Sequence, residues 1–251
     1  MMKLMKKAAL LLALVACVGA TAGCSALQGL LGGGKESAEK APETVADTYA
    51  AIQTLLASNA TNMETLTEMT VERLELGGGN TTEHTITTKI SGSDYYFKEI
   101  SESDSAYDDS TNVEYYYVGG TAYVNDGTEK TQEAMTEQEF QNFANVSSPI
   151  FALPTLAEGK LNNVAFKQEK SGSSFTIEFG YGELNGAPFE KYKNYNELKM
   201  TVYVTDSKEF SSVKFSCNET NQIFYTMTIS VTNMGTTSVS APSDASSYLS
   251  K

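Results

Sequence analysis

Apolar positions recur at helical spacing in only two stretches of this chain. Val45, Tyr49, Ile52 and Leu56 fall three and four apart, with Ala46, Ala50 and Ala51 between them. Pro42 suits a first helical turn, and Glu43 and Asp47 suit its positive end. The spacing predicts a helix over 42–58, closed by the polar run from Asn59 to Asn62. The second stretch is EAMTEQEFQNFAN, where Met135, Glu139 and Phe143 lie four apart and Phe140 widens the stripe. Thr136 followed by Glu139 forms a capping-box pair. A short helix over about 133–144 follows from it.

Elsewhere Thr, Ser, Tyr, Val and Ile dominate, broken by glycine turns. EMTVERLELGGGNTTEHTITTKISG reads as two strands, with Met69 and Val71 on one face and Thr70, Glu72 and Leu74 on the other. DYYFKEI continues as a third strand. VEYYYVGGTAYVNDGT is a tight hairpin turning at Gly119-Gly120, with the next turn at Asp126-Gly127. After an apolar loop, SSPIFALPTLAEG, strands resume in NNVAFKQEK and SFTIEFGYG. A link rich in Lys, Tyr and Asn leads to LKMTVYVT, SSVKFSCNE and IFYTMTISVTN, and SVSAP is a candidate edge. One helix, a strand series, a short helix and more strands predict an α+β body, a largely antiparallel sheet whose one face the helices cover.

The first 23 residues change where this body is expected to work. Lys3, Lys6 and Lys7 precede a short Ala/Leu/Val run and then small residues, the pattern of a secretory signal peptide. That run is shorter than the roughly 20 residues of a spanning helix. TAGC, at Thr21 to Cys24, resembles the lipobox of bacterial lipoproteins, with Thr21 where Leu is usual. The resemblance implies that Cys24 becomes the lipidated N-terminus. Residues 24–40 then form a flexible tether, with Gly32-Gly33-Gly34 at its centre, and 41–251 a single domain. The expected address is the extracytoplasmic face of the cell membrane, with the membrane as partner through the anchor.

Charge narrows the other partners. The chain carries 31 acidic and 18 basic residues, net -13, and about -16 once the three leader lysines are gone. Nucleic acid is therefore not an expected partner, because phosphate binding needs clustered Lys and Arg. Three cysteines are present: Cys17 in the leader, Cys24 and Cys217. With Cys24 lipidated, Cys217 has no intrachain partner, and its expected role is that of a small buried hydrophobe.

The lipobox at Cys24, the helix at 42–58, the hairpins through VEYYYVGGTAYV, the inserted helix and the final ladder YTMTISVTNMGTTSVSAP resemble, in that order, the LolA-like fold. They also resemble LppX/LprG-type and uncharacterised Gram-positive lipoproteins. The resemblance spans nearly the whole mature chain and rests on element order rather than an invariant motif. It implies a curved antiparallel half-barrel, covered by the long N-terminal helix and the short inserted one, enclosing an apolar cavity that in some members holds lipid.

Fourteen Tyr and eleven Phe make such a cavity testable. Tyr95, Phe97, Tyr115, Tyr117 and Tyr123 cluster in the early strands, and Phe143 lies on the inserted helix. Ile150, Phe151 and Leu153, followed by Leu156, form the apolar loop. Two roles fit these residues: plain sheet packing, or an aromatic wall and lid for a hydrophobic ligand. No residue pattern calls for a cofactor or a metal. His84 is the only histidine and is expected to be an exposed strand residue, and no G-x-S-x-G elbow or phosphate loop occurs. Glu102, Asp104, Asp108 and Asp109 lack the spacing of a calcium loop and are expected to form a solvated loop over 101–110. The expected function is non-catalytic: binding or local transfer of a lipid or other apolar small molecule. The competing expectation is a structural lipoprotein, or one that binds a protein of the envelope.

Overall fold

The computed structural model describes residues 41–75, 78–104, 110–162, 164–169, 171–205, 209–220 and 222–251. The expected signal peptide, Cys24 and the tether lie outside the described residues, as do Asp108 and Asp109 of the acidic loop.

Helix α1 (Ala41–Ser58) forms where the periodicity places it. Val45, Tyr49, Ile52 and Leu56 are buried on its inner side, while Ala46, Asp47 and Ala50 face solvent. Asn59 ends the helix by donating its Nδ2 to the Leu55 carbonyl at 2.9 Å. Strands β1 (Asn62–Glu75), β2 (Gly78–Ser91), β3 (Asp94–Ser103), β4 (Thr111–Val118), β5 (Thr121–Asn125) and β6 (Lys130–Ala134) then run outward as an antiparallel meander. Gly119 and Gly120 close the β4–β5 hairpin, both with positive φ (58° and 85°), as a two-residue turn requires. Residues 130–134, partly within the range expected to be helical, are strand β6 instead. Helix α2 is only Glu137–Ala144. The expected capping box sets its start: Thr136 Oγ1 accepts from the Glu139 amide, and the Glu139 carboxylate accepts from the Thr136 amide at 2.7 Å.

The chain then crosses to the far edge of the sheet. Strands β7 (Ala165–Glu169), β8 (Gly172–Phe179), β9 (Asn196–Thr205), β10 (Phe210–Thr220) and β11 (Ile223–Thr232) return towards the middle, where β11 pairs with β1. The result is one large, open, curved sheet of twelve strands among the described residues, in the order β12-β6-β5-β4-β3-β2-β1-β11-β10-β9-β8-β7. Strand β12 is Leu249–Ser250, two residues parallel to β6, and this piece of the tail, rather than SVSAP, makes the last edge. With two helices on one side, the chain is an α+β protein. Among the described residues no helix is long and apolar enough to cross a membrane.

This topology determines where a cavity can form. The first meander ends at one edge and the second starts at the other. The connection from Met135 to Val164 must therefore span the sheet. It runs across the inner face with α1 beside it: the Tyr49 hydroxyl donates to the Pro154 carbonyl at 2.6 Å, and Gln53 Nε2 donates to the same oxygen at 3.0 Å. Val202, Met200, Phe215, Val213, Met227, Ile229 and Met63 are fully buried beneath this cover. Most of the outer face carries Thr, Ser, Lys and Glu, with Tyr96, Tyr116 and Tyr123 side by side on β3–β5 and ion pairs between Lys89 and Glu64 and between Lys199 and Glu178, each at 3.2 Å. Such exposed pairs contribute at most about 1 kcal/mol, so the inner face holds the sheet's stability.

Candidate functional site

Where the cover leaves the middle of the sheet incompletely filled, a cavity of about 350 Å³ remains. Its floor comes from alternate residues of five neighbouring strands: Thr65, Thr67 and Met69 of β1, Ile86 and Thr88 of β2, Phe97 and Glu99 of β3, Val113 and Tyr115 of β4, and Met227 and Ile229 of β11. The register explains the grouping. Thr67 stands opposite both Ile86 and Ile229, and Phe97 lies between Thr88 and Tyr115. The roof is the C-terminal end of α2 with the start of the crossing loop, Phe143 to Ser147, together with Ile150. A 3-10 turn (Phe189–Tyr192) supplies Lys191 and Tyr192 to one wall. Phe143, Asn145, Ser147 and Lys191 are exposed, which locates the mouth on this side.

Four of the residues expected to hold a ligand meet here: Phe97, Tyr115, Phe143 and Ile150. The Phe97 and Tyr115 rings are stacked, 5.7 Å apart, and Phe143 tilts onto Tyr115 at 5.2 Å. Phe143 is 52% exposed, so this aromatic wall runs from the interior to the surface. Tyr95 and Tyr117 share the same face but lie beyond the cavity, sealed beneath Phe140. The Tyr95 hydroxyl donates to Glu137 at 2.6 Å and accepts from Gln141 Nε2 at 2.7 Å, which ties α2 to β3. Phe151 and Leu153 are buried further along the crossing, Phe151 against Phe189 and Phe210, and so form packed core rather than a lid. Tyr123 does not join the group. It stands opposite Tyr116, on the outer face, with Tyr248 edge-on at 5.5 Å. Three consecutive tyrosines must alternate sides, and Tyr123 follows the middle one.

Other contributors were not legible as site residues. The link before β9 reads as polar, yet its Phe189 and Tyr192 turn inward and are buried. Their i, i+3 spacing is the signal that could have shown it. The Tyr192 ring packs between Phe215 (5.4 Å) and Tyr225 (5.6 Å), and its hydroxyl lies 3.6 Å from Met69 Sδ. His84, expected to be exposed, lies half-buried on the inner face opposite Met69, with Nδ1 2.8 Å from Glu99 Oε1. Asp104 Oδ1 accepts from the Thr81 amide at 2.6 Å, so this acid of the 101–110 loop closes a strand end.

Burial shapes the titration of this region. It pushes the Cys217 thiol up to about 12, with Glu219 adding to the effect, and it raises the Tyr49 and Tyr192 hydroxyls above the ordinary tyrosine range. All three are held neutral in the folded chain and ionise more readily once unfolded. Their contribution to stability is therefore full below the unfolded values, about 8.5 for Cys and 10 for Tyr, and is lost as pH rises towards the folded ones. The thermal midpoint should be level from pH 7 to about 8.5 and fall progressively above about pH 9. Cys217→Val should flatten the first part of that fall. A midpoint unchanged to about pH 11 would contradict the assignment.

No family model and no curated protein matches the chain. Solved structures similar to it include LprF from Mycobacterium bovis, at 11% identity over 76% of this chain and 95% of that one, with a TM-score of 0.34. A DUF1329 family protein from Desulfovibrio piger shares 10% identity over 75% and 91% of the two chains, TM-score 0.24. The β-barrel-like DUF1849 protein from Brucella abortus shares 10% over 68% and 96%, TM-score 0.21. TM-scores this low leave the site to be understood from this chain's own geometry.

Proposed function

We propose that this chain is a lipid-anchored envelope protein whose folded body binds a hydrophobic or amphiphilic molecule in the inner-face cavity. The observation that carries the reading is the cavity of mixed lining, aromatic and aliphatic side chains interleaved with threonines, left between the sheet and its crossing segment. Its volume of about 350 Å³ is at the low end of the roughly 300–1,000 Å³ usual for small-molecule sites. It fits one small molecule or part of one acyl chain rather than a multi-chain lipid. In this reading Cys24 carries the anchor and the following residues to Lys40 the tether. Those 16 residues reach at most about 55 Å when extended, so the body serves local exchange rather than distant carriage.

A solvatochromic acyl probe titrated into the protein tests it. The expected result is a saturable blue shift with one site per chain. A shift that never saturates, or none, would favour a structural or protein-binding role.

A further inference from the structure

Among the residues that line the cavity only two carry charge, Glu99 and Lys191. They are not equivalent. Glu99 is engaged by His84 Nδ1 at 2.8 Å. Lys191 makes no ion pair with a described residue. Its ammonium lies 5.1 Å from the centre of the Tyr192 ring, at the lip of the cavity. Burial holds it below the ordinary lysine range, and the Glu99 charge opposes that only in part. Lys191 is exposed as a residue, with its ammonium set against the Tyr192 ring at the mouth. A cation in that position, near Glu99 but in no ion pair with a described residue, keeps donor capacity that an incoming anion would take up. On a chain of net charge -13, Lys89, Lys130, Lys160, Lys193, Lys199 and Lys251 each meet a carboxylate, and Lys191 is not among them.

We propose that Lys191 reads the head of the bound molecule, and that the ligand class is an amphiphile with one acyl chain and an anionic head. The chain enters under Phe143 and lies along Tyr115, Ile86 and Ile229. The head stays at the mouth, where Lys191 donates to a carboxylate or phosphate oxygen. This inference rests on the cavity being the binding site, and the test separates the two.

Dodecanoate, dodecyl phosphate and dodecanol are titrated against wild type, Lys191→Met, Lys191→Arg and the cavity-filling Thr67→Trp. Wild type should bind at least one of the anions roughly tenfold tighter than the alcohol, as a charge-assisted hydrogen bond predicts. Lys191→Met should bring the anions to the level of the alcohol and leave the alcohol unchanged, and Lys191→Arg should keep the preference. Preference for one anion alone identifies the head as carboxylate or phosphate. An anion-to-alcohol ratio that is flat in wild type, or unaltered in Lys191→Met, overturns the role of Lys191 while alcohol binding lost in Thr67→Trp keeps the cavity. Binding equal in Thr67→Trp and wild type, or none by any of the three, overturns both.

Discussion

Phe140→Ala should remove about 3–5 kcal/mol of folding stability, the cost of deleting a fully buried phenylalanine. Phe140 is 0% exposed and is the residue through which α2 grips the sheet. Its ring stacks on Tyr117 at 5.2 Å and tilts onto Tyr95 at 6.0 Å. The helix has only eight residues, too few to persist by propensity, so packing must hold it. Once Phe140 is lost, the Tyr95 hydrogen bonds to Glu137 and Gln141 connect to a helix that is no longer seated. The loss would be a large share of the roughly 5–15 kcal/mol typical of a domain. Urea titration would show the midpoint fall, and Phe140→Leu should recover most of it. A change below about 1 kcal/mol would mean that α2 is held by something other than this ring.

Thr67→Trp should weaken binding of an acyl ligand about a hundredfold with little loss of stability. Thr67 lies at mid-floor on a central strand, between Ile86 and Ile229. An indole placed there occupies the space the ligand needs, and the ligand must displace a ring whose burial is worth roughly 1.5–3 kcal/mol. Because the space exists already, the usual overpacking penalty of about 1–3 kcal/mol should be largely avoided. Thr67→Val, which adds no bulk, should bind as wild type does. Equal affinity in Thr67→Trp and wild type would place the site elsewhere.

Much of this architecture could be read along the chain, and the reasons it could not be read completely are physical. Helix α1 announced itself because four apolar side chains at helical spacing face one partner surface. The Thr136–Glu139 pair marked the start of α2 because the motif is local, and the Gly119-Gly120 hairpin is local too. Which strands meet is not a local property. β1 pairs with β11, roughly 160 residues later, and no pattern in either strand names the other. Face assignment failed where both faces are aromatic. In VEYYYV the period of two is present, but Tyr116 is as apolar as its neighbours, and only the crossing segment decides that Tyr115 and Tyr117 face inward. Tyr123 was misplaced for that reason, and His84 because the Thr- and Glu-rich TTEHT stretch around it offers little apolar contrast between its two faces. The cavity itself was legible only in part. Phe97, Tyr115, Phe143 and Ile150 could be named from composition. Thr65, Thr67, Met227, Ile229 and Lys191 come together solely through register and the return of the second meander.

Native mass spectrometry of the full-length protein purified from its native host, alongside Thr67→Trp, tests the central claim most directly. Wild type should carry a substoichiometric to equimolar adduct of one amphiphile, released on mild activation and absent from Thr67→Trp. Wild type and variant both free of adduct, or both carrying the same one, would contradict a ligand-binding cavity on the inner face of this sheet.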